Sequence, residues 1–272
     1  TIFSCGVMDA LVENDIMPDY MIGVSAGAAY GVSMASKQPR RNLDVLMKYR
    51  NDKRYLGLSN MIDKDNKSIY GLEFSYETIP NELNLFDYDA FKQYKGDFYC
   101  VVTNLLTGQP EYMKYTGDDR TNTVLKATCA LPMLFPPIII NDVPYMDGGL
   151  SDSIPYLKAI EDGCDRIIVV LTRQSGYTKT TSRSTKAIAY SYRNQYPKLT
   201  ETMLTRASRY NESLKGLDQY VKEGRIITIQ PTTSKGFSRL EKDKNKILSM
   251  YNDVYNQCYE LLDTIKEFYE IK

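Results

Sequence analysis

The 272-residue sequence contains no histidine and no tryptophan, and its five cysteines stand far apart. Without histidine, the most common general base of hydrolytic enzymes is missing, together with the usual nitrogen ligand of zinc and iron. The cysteines form no C-x-x-C pair, and their odd number fits neither a disulfide framework nor a thiolate metal site. We therefore expect no zinc or iron site and no cofactor, whereas a hard cation bound by carboxylates stays compatible with the sequence. We predict a location in the reducing cytoplasm.

Excess charge and long apolar runs are missing as well. Lysine plus arginine and aspartate plus glutamate both number 34, so the chain has no net charge with which to attract nucleic acid. No apolar run approaches the roughly 18 residues of a membrane-spanning helix, so we predict no such helix. The sequence shows no basic and then apolar signal segment, and a helical pattern begins almost directly after Thr1.

The chain does contain strand-length apolar stretches that alternate with helical patterns, which is typical of α/β proteins with a mainly parallel sheet. Apolar spacing predicts a helix in FSCGVMDALVENDI and a long amphipathic helix from Lys242 to Lys272. The predicted strands are DYMIGVS, FYCVVTNLL, the antiparallel EYMKYT, RIIVVLT and RIITIQP. We expect RIIVVLT to be the most clearly buried strand, because its apolar run is continuous.

Ser25 lies between two glycines in the segment YMIGVSAGAAYGVSM. An apolar strand, the turn Gly23-Val24-Ser25-Ala26-Gly27 and a small-residue helix follow one another, which is the order of a nucleophile elbow. In such an elbow the helix N-terminus favours developing negative charge. The alternative is a small-residue turn in which Ser25 only caps the helix. The position of the turn directly after an apolar strand favours the catalytic interpretation.

A serine hydroxyl is a good nucleophile only when a base takes its proton, and no histidine is present to complete a catalytic triad. Carboxylates and a desolvated lysine remain as bases. Asp147 follows the apolar segment Pro144-Tyr145-Met146 and precedes the pair Gly148-Gly149, which permits a tight backbone path. The alternative is a turn aspartate that binds its own backbone, which would be preferred if Ser25 were absent.

These two motifs together resemble the patatin-like phospholipase family, in which a G-x-S-x-G elbow precedes a D-G-G turn by more than a hundred residues. The segment LKATCALPMLFPPIIINDVPYMDGGLSDSIP is similar to the family's approach to its catalytic aspartate. The segments EDGCDRIIVVLTR, QYPKLTETMLTRASRYNESL and SRLEKDK extend the likeness to the bacterial branch of small members. The resemblance implies a three-layer α/β/α fold in a single domain over residues 1–272.

The resemblance also implies a Ser-Asp dyad, with Ser25 as nucleophile and Asp147 as general base. The expected reaction is transfer of an acyl group from an ester to Ser25 and then to water. The family's substrates are phospholipids and other acyl lipids, so the expected partner is an acyl lipid, with transient contact at a membrane surface and no nucleic acid. Met133, Leu134 and Phe135 fit a wall of the acyl pocket and ordinary core equally well.

One family element has no counterpart in the sequence. The family carries a glycine-rich G-G-G-x-[RK]-G loop after its first strand, and the amides of this loop stabilise the oxyanion. By the resemblance, the first strand and this loop belong upstream of Thr1, and without them an apolar gap would lie beside the strand that carries Ser25. Among the amides that are present, the backbone N–H of Ala26 is the candidate oxyanion donor.

Two other functions remain open. A catalytically silent lipid-binding or interaction protein would keep the same fold, and an upstream segment without the glycine-rich loop would favour it. A peptidase or thioesterase would differ only in the leaving group, which the sequence does not distinguish. Arg40, Arg41 and the lysines near Lys179 could contact anionic headgroups, although solvated surface charge is the more common role.

Overall fold

The computed structural model describes residues 2–63, 66, 68–232 and 241–270. Residues 238–240 of the SRLEKDK segment lie outside these ranges. The helices in the described ranges are α1 (Ile2–Glu13), α2 (Ala26–Ala35), α3 (Arg41–Tyr49), α4 (Ser59–Ile62), α5 (Tyr88–Lys92), α6 (Thr123–Cys129), α7 (Tyr156–Glu161), α8 (Arg183–Ser191), α9 (Pro197–Lys222), α10 (Lys244–Glu260) and α11 (Leu262–Tyr269). The strands are β1 (Tyr20–Val24), β2 (Asp97–Asn104), β3 (Pro110–Lys114), β4 (Ile138–Ile140), β5 (Val143–Asp147), β6 (Ile167–Val170) and β7 (Ile226–Ile229). A π-helix spans Phe74–Leu83, and a single 3₁₀ turn spans Gly148–Leu150.

The two sheets confirm the predicted α/β class, with flanking helices. Strands β1 and β2 are parallel, as are β6 and β7, and the antiparallel strands β3, β5 and β4 extend the first sheet. The five predicted strands all form, and β3 pairs antiparallel to β2 as expected. Three antiparallel pairings therefore accompany the parallel ones, and two of them, β2 with β5 and β5 with β4, bring in strands that the sequence patterns did not predict.

Strand β2 organises the first sheet, because both of its edges are occupied. Val101 pairs with Val24 of β1 and with Tyr112 of β3. The next residue, Val102, pairs with Asp147 of β5 and again with β3. Since β3 occupies one edge at both positions, β1 and β5 must share the other edge, end to end. The last residues of β1 and β5 therefore meet beside the same two residues of β2.

Strand β6 is only half-buried along its whole length, so the expectation that RIIVVLT is the most buried strand is wrong. In the described part of the chain, β6 pairs only with β7, and β1 pairs only with β2. The second edges of β6 and β1 both line one cavity of about 1440 Å³, which we call the central cavity and which also reaches Ser25. Met21 of β1 and Ile168 of β6 pack against the same cluster of helix side chains. The exposure of β6 thus comes from its open edge.

The C-terminal segment forms two helices, α10 and α11, where one long helix was predicted. The Leu261 N–H donates to the carbonyls of Cys258 and Tyr259, which tightens the turn and bends the chain between the helices. Of the predicted apolar face, Ile247, Tyr251, Val254, Cys258 and Ile265 are buried, and Leu261 and Phe268 are partly buried. Helix α10 packs along α1, so that the two ends of the described chain share one hydrophobic cluster.

A buried carboxylate lies between these two helices. Asp9 of α1 is only 3% exposed and accepts a hydrogen bond of 2.8 Å from the Tyr251 hydroxyl of α10. Burial raises the pKa of Asp9 above its ordinary value of 3.8, and the bond from Tyr251 lowers it in part. The Tyr251 hydroxyl therefore stabilises the charged form of Asp9, together with the backbone N–H of Arg40 and the Cys5 thiol.

Tyr251→Phe removes this donor, and we expect the free energy of unfolding at pH 7 to fall by about 1–3 kcal/mol. Because the pKa of Asp9 is higher in the folded chain, its protonation stabilises the fold fully below the unfolded pKa, and that contribution is lost as pH rises through the folded pKa. The cost of Tyr251→Phe should therefore be smaller at pH 4 than at pH 7. Urea unfolding at both pH values measures the difference.

Tyr255→Phe is the matched control on the same helix. The Tyr255 hydroxyl donates to Glu13, whose side chain is 26% exposed, so its loss should cost under about 1 kcal/mol. Equal losses in the two variants, or a Tyr251→Phe loss that does not change with pH, would contradict the role assigned to Asp9.

The backbone of β1 at Gly23 lies very close to the backbone of α2 at Ala28. A Cβ at Gly23 would lie 2.4 Å from the Ala28 Cα and 2.6 Å from the Ala28 nitrogen, and neither backbone atom can rotate away. A Cβ at Gly27, on the other side of Ser25, would meet nothing within 4 Å. Of the two glycines of the elbow, only Gly23 is required by packing in the described structure.

Gly23→Ala should therefore lower the free energy of unfolding by about 1–3 kcal/mol, because β1 and α2 must move apart. Gly27→Ala lies inside a helix with open space and should be neutral or stabilising by up to about 1 kcal/mol. Denaturant unfolding of the two variants, compared with the parent chain, tests this difference. Similar losses from both substitutions would show that the close approach does not determine stability.

Candidate active site

Ser25 stands at the turn between β1 and α2 in a strained backbone conformation. Its φ is 55° and its ψ is −127°, values that residues with a side chain rarely adopt. The Ser25 N–H donates a hydrogen bond of 2.9 Å to the Thr128 hydroxyl oxygen, and that hydroxyl donates one of 2.6 Å to the Val101 carbonyl. The strained turn is thus tied to the middle of β2 through α6, while the side chain of Ser25 is left out of these bonds.

Asp147, the last residue of β5, is 2% exposed and held on three sides. Its N–H donates to the Ala130 carbonyl at 2.9 Å, and its own carbonyl accepts the Thr103 hydroxyl at 2.8 Å. Its carboxylate oxygen Oδ1 accepts the N–H of Gly149 at 2.8 Å. The turn that follows is tight, since a Cβ at Gly148 would lie 2.1 Å from the Val101 carbonyl oxygen.

The structure brings Ser25 and Asp147 to the same place. Ser25 directly follows the residue paired with Val101, and Asp147 pairs with Val102 on the same edge of β2. A Cβ at Gly149 would lie 3.5 Å from the Val24 side chain, so the D-G-G turn contacts the strand that carries the serine. Both residues line the central cavity.

Cys129 is a neighbour of both residues, and the sequence patterns gave no indication of this. Burial raises the pKa of the Cys129 thiol to about 12, a hydrogen bond with Tyr76 lowers it, the nearby charge of Asp147 raises it, and a hydrogen bond with Ser25 lowers it. The thiol is therefore neutral near pH 7, and its side chain contacts that of Ser25. It follows Thr128 in sequence, so one short segment supplies both neighbours of the serine.

The cavity next to Ser25 has an apolar wall. Phe135 is 6% exposed, lines the cavity and stacks on Tyr70, which lines it as well. Met133, from the same PMLFPP segment, is 55% exposed. Phe135 therefore belongs both to the cavity wall and to the hydrophobic core, whereas Met133 faces solvent.

Arg41, Lys179 and Ala26, which the sequence also singled out, line the central cavity as well. Arg40 pairs with Glu13, and Arg41 donates to the carbonyls of Asn84 and Leu85, so both arginines bind other parts of the chain. Ala26 is the first residue of α2, and helix geometry leaves its N–H without an intrahelical acceptor. Its role as oxyanion donor stays a prediction.

Within residues 2–63, 66, 68–232 and 241–270, no group of three or more acidic or cysteine side chains is arranged to hold a metal ion. In the same ranges, no helix combines the length and the apolar character needed to cross a membrane.

Several known proteins are similar to this chain in sequence. An uncharacterized protein of Escherichia coli strain K12, YjjU, is 26% identical over 183 residues, which cover 63% of this chain and 48% of YjjU. The lysophospholipase nte1 of Aspergillus terreus is 28% identical over 176 residues, covering 61% of this chain and 10% of that protein. Lysophospholipase NTE1 of Kluyveromyces lactis is 25% identical over 170 residues, covering 61% and 11%. The chain thus spans about half of YjjU and about a tenth of these lysophospholipases.

Two family models match the chain. Residues 196–270 match a domain of unknown function, DUF6363, and this part contains α9, β7, α10 and α11. Residues 1–160 match the model of the patatin-like phospholipases, and this part contains both Ser25 and Asp147. Because the second match covers more than half of the sequence, the chain belongs to the patatin-like phospholipase family.

Proposed function

We propose that the protein is a serine acyl hydrolase that cleaves acyl esters of lipids, with Ser25 as nucleophile and Asp147 as general base. The observation that carries this proposal is the meeting of a strained serine turn and a buried carboxylate beside Val101 and Val102 of β2. The apolar wall at Phe135 suits an acyl chain. Family membership and the relatives named lysophospholipase support a lipid ester as the substrate.

In the proposed reaction, the Asp147 carboxylate takes the proton of Ser25 as Oγ forms a bond to the ester carbonyl carbon. The carbonyl oxygen carries the negative charge until the bond to the alcohol breaks, and the alcohol leaves with the proton from Asp147. Water then gives its proton to Asp147 and attacks the acyl-enzyme. The bond from carbon to Ser25 Oγ breaks, the serine regains a proton, and the fatty acid is released.

The structure supports a preorganised base. The bonds to the backbone of Asp147 hold β5 in place, and the Gly149 N–H orients one oxygen of the carboxylate. A base held in this way needs no reorganisation during proton transfer. The Cys129 thiol beside Ser25 is neutral at pH 7, because burial raises its pKa to about 12, so it does not compete as the nucleophile.

The oxyanion donors are the second part of the proposal. We propose that a strand and glycine-rich loop upstream of Thr1 occupy the central cavity between β1 and β6, with the Ala26 N–H as a further donor. The half-buried side chains of β6 and the open edges of β1 and β6 support this, since an inserted strand would pair with both. It would also join the two sheets into one.

Ser25→Ala and Asp147→Asn should each reduce hydrolysis of a lysophospholipid by at least about 10³-fold, because each removes one half of the proton transfer. Fatty acid release from lysophosphatidylcholine and from a neutral monoacylglycerol measures this loss. A fluorophosphonate probe should label Ser25 in the parent, and mass spectrometry identifies the labelled peptide. Cys129→Ala is the control, and it should keep activity within about tenfold.

Activity at the parent level in either the Ser25 or the Asp147 variant would overturn the proposed dyad. A parent protein that binds lipid vesicles but neither releases fatty acid nor reacts with the probe would indicate the catalytically silent alternative. A parent that cleaves a thioester or peptide ester faster than any lipid ester would point to a different acyl substrate on the same site.

The upstream strand has a test of its own. The 272-residue chain and a chain that also carries the residues encoded before Thr1 should differ in stability and in reaction with the probe. We expect the longer chain to unfold at higher urea and to label at least about tenfold faster, since it gains strand pairing and oxyanion donors. Equal stability and equal labelling would show that these residues do not fill the central cavity.

A further inference from the structure

Helix α9 contacts the turn that carries the proposed general base, although it lies outside the part of the chain matched by the patatin-like model. We propose that Arg206 and Arg209 of α9 are positioning residues for Asp147, so that the DUF6363 segment completes the hydrolase site. This inference rests on the proposed function, because it assigns a role within the same dyad.

The two arginines bind three consecutive carbonyls of the turn. Arg206 Nε donates to the Gly149 carbonyl at 2.5 Å. Arg209 donates from Nη2 to the Leu150 carbonyl at 2.8 Å and from Nε to the Ser151 carbonyl at 3.2 Å. Guanidinium groups are rigid, so these bonds define where the backbone of the turn lies relative to α9.

The same turn holds the carboxylate of Asp147. The peptide unit of Gly149 donates its N–H to Asp147 Oδ1, and its carbonyl accepts from Arg206 of α9 and from the Ser153 hydroxyl within the turn. A shift of Gly149 away from its present position would therefore lengthen the hydrogen bond that orients the base. The arginines do not contact the reacting atoms in this scheme, and they act through the backbone of the turn.

Arg206 also brings positive charge close to the base. Its Nη2 would lie 3.4 Å from a Cβ on Gly149, and Asp147 Oδ1 would lie 3.0 Å from the same point. Since both atoms lie close to this one point, the positive charge of Arg206 lies near the carboxylate of Asp147. A neighbouring opposite charge favours the ionised carboxylate, which is the form that accepts a proton from serine. Arg209 is held beside Arg206 despite the repulsion between them, through further bonds to Thr202 and Thr205 on α9.

Helix α9 is itself anchored to the first sheet. The Thr202 hydroxyl donates to the Gly108 carbonyl, in the connection between β2 and β3, at 2.7 Å. Leu199 and Met203 are buried in the same cluster as Met146, which precedes the base. The helix thus contacts both the strand that precedes Asp147 and the turn that follows it, as a positioning element must.

The test uses Arg206→Gln, Arg206→Lys and Arg209→Lys in the full-length protein, with Lys215→Gln as control, since Lys215 is an exposed cation on the same helix. We expect Arg206→Gln to lower kcat by at least about tenfold, and to move the acid limb of the kcat/KM profile up by about one pH unit, because the base loses its neighbouring charge. Arg206→Lys keeps the positive charge, so the acid limb of its kcat/KM profile should lie closer to that of the parent. Arg209→Lys should lower kcat without moving the limb.

Hydrogen exchange supplies a readout that needs no activity. Amides in the peptide that covers residues 147–153 should exchange at least about tenfold faster in Arg206→Gln and Arg209→Lys than in Lys215→Gln, while amides of β2 keep their parent rates. If the parent hydrolyses no ester, the proposed function fails, and the exchange data still show whether the arginines hold the turn.

The positioning role is overturned by either of two results. One is a pH profile and local exchange in Arg206→Gln that equal those of Lys215→Gln. The other is exchange in Arg206→Gln that is faster throughout the chain, in proportion to a lower free energy of unfolding, while the acid limb of its kcat/KM profile stays in place. That result would show a loss of general stability alone.

Discussion

The backbone carbonyl of Val101 is the point on which the candidate site depends. It accepts the hydroxyl of Thr128, which in turn accepts the N–H of Ser25, so it supports the strained serine turn. The same oxygen also restricts the residue after Asp147. A Cβ at position 148 would clash with it, so only glycine fits there. One atom in the middle of β2 thus constrains the turn of Ser25, the proposed nucleophile, and the turn after Asp147, the proposed base.

The pairing of β2 explains how two distant segments meet there. A strand pairs with one partner on each edge at any residue, and β3 already takes one edge of Val101 and Val102. On the other edge, Val101 pairs with β1 and Val102 pairs with β5, so the partner strand changes between these two residues. This is also the place where β1 ends and the chain turns into α2. The turn at Ser25 therefore makes room for β5, and the end of β5 delivers Asp147 next to the space that β1 has left.

The parts of the site that the sequence predicts are those with a local signature. Ser25 stands in a five-residue turn after an apolar strand, and Asp147 precedes two glycines, so each could be recognised within ten residues. Thr128 and Arg209 have no such signature, because their role depends on the fold bringing α6 and α9 to the turns. The burial of β6 could not be read from its apolar run for a related reason, since a run of apolar residues does not reveal whether both edges of the strand are paired.

The two matched parts of the chain are joined by hydrogen bonds to buried polar groups. Buried carbonyls need donors. The Leu150 carbonyl accepts from Arg209 of α9, and the Gly149 carbonyl accepts both from Arg206 of α9 and from the Ser153 hydroxyl. Asp9, near the start of the chain, likewise finds the hydroxyl of Tyr251 on α10. Residues 196–270 therefore supply donors to polar groups that residues 1–160 bury, at the D-G-G turn and again at α1. A patatin-like part without the C-terminal helices would lose the Arg209 donor to Leu150, the Arg206 donor to Gly149 and the Tyr251 donor to Asp9. Two of these losses would fall in the turn that directly follows the proposed base.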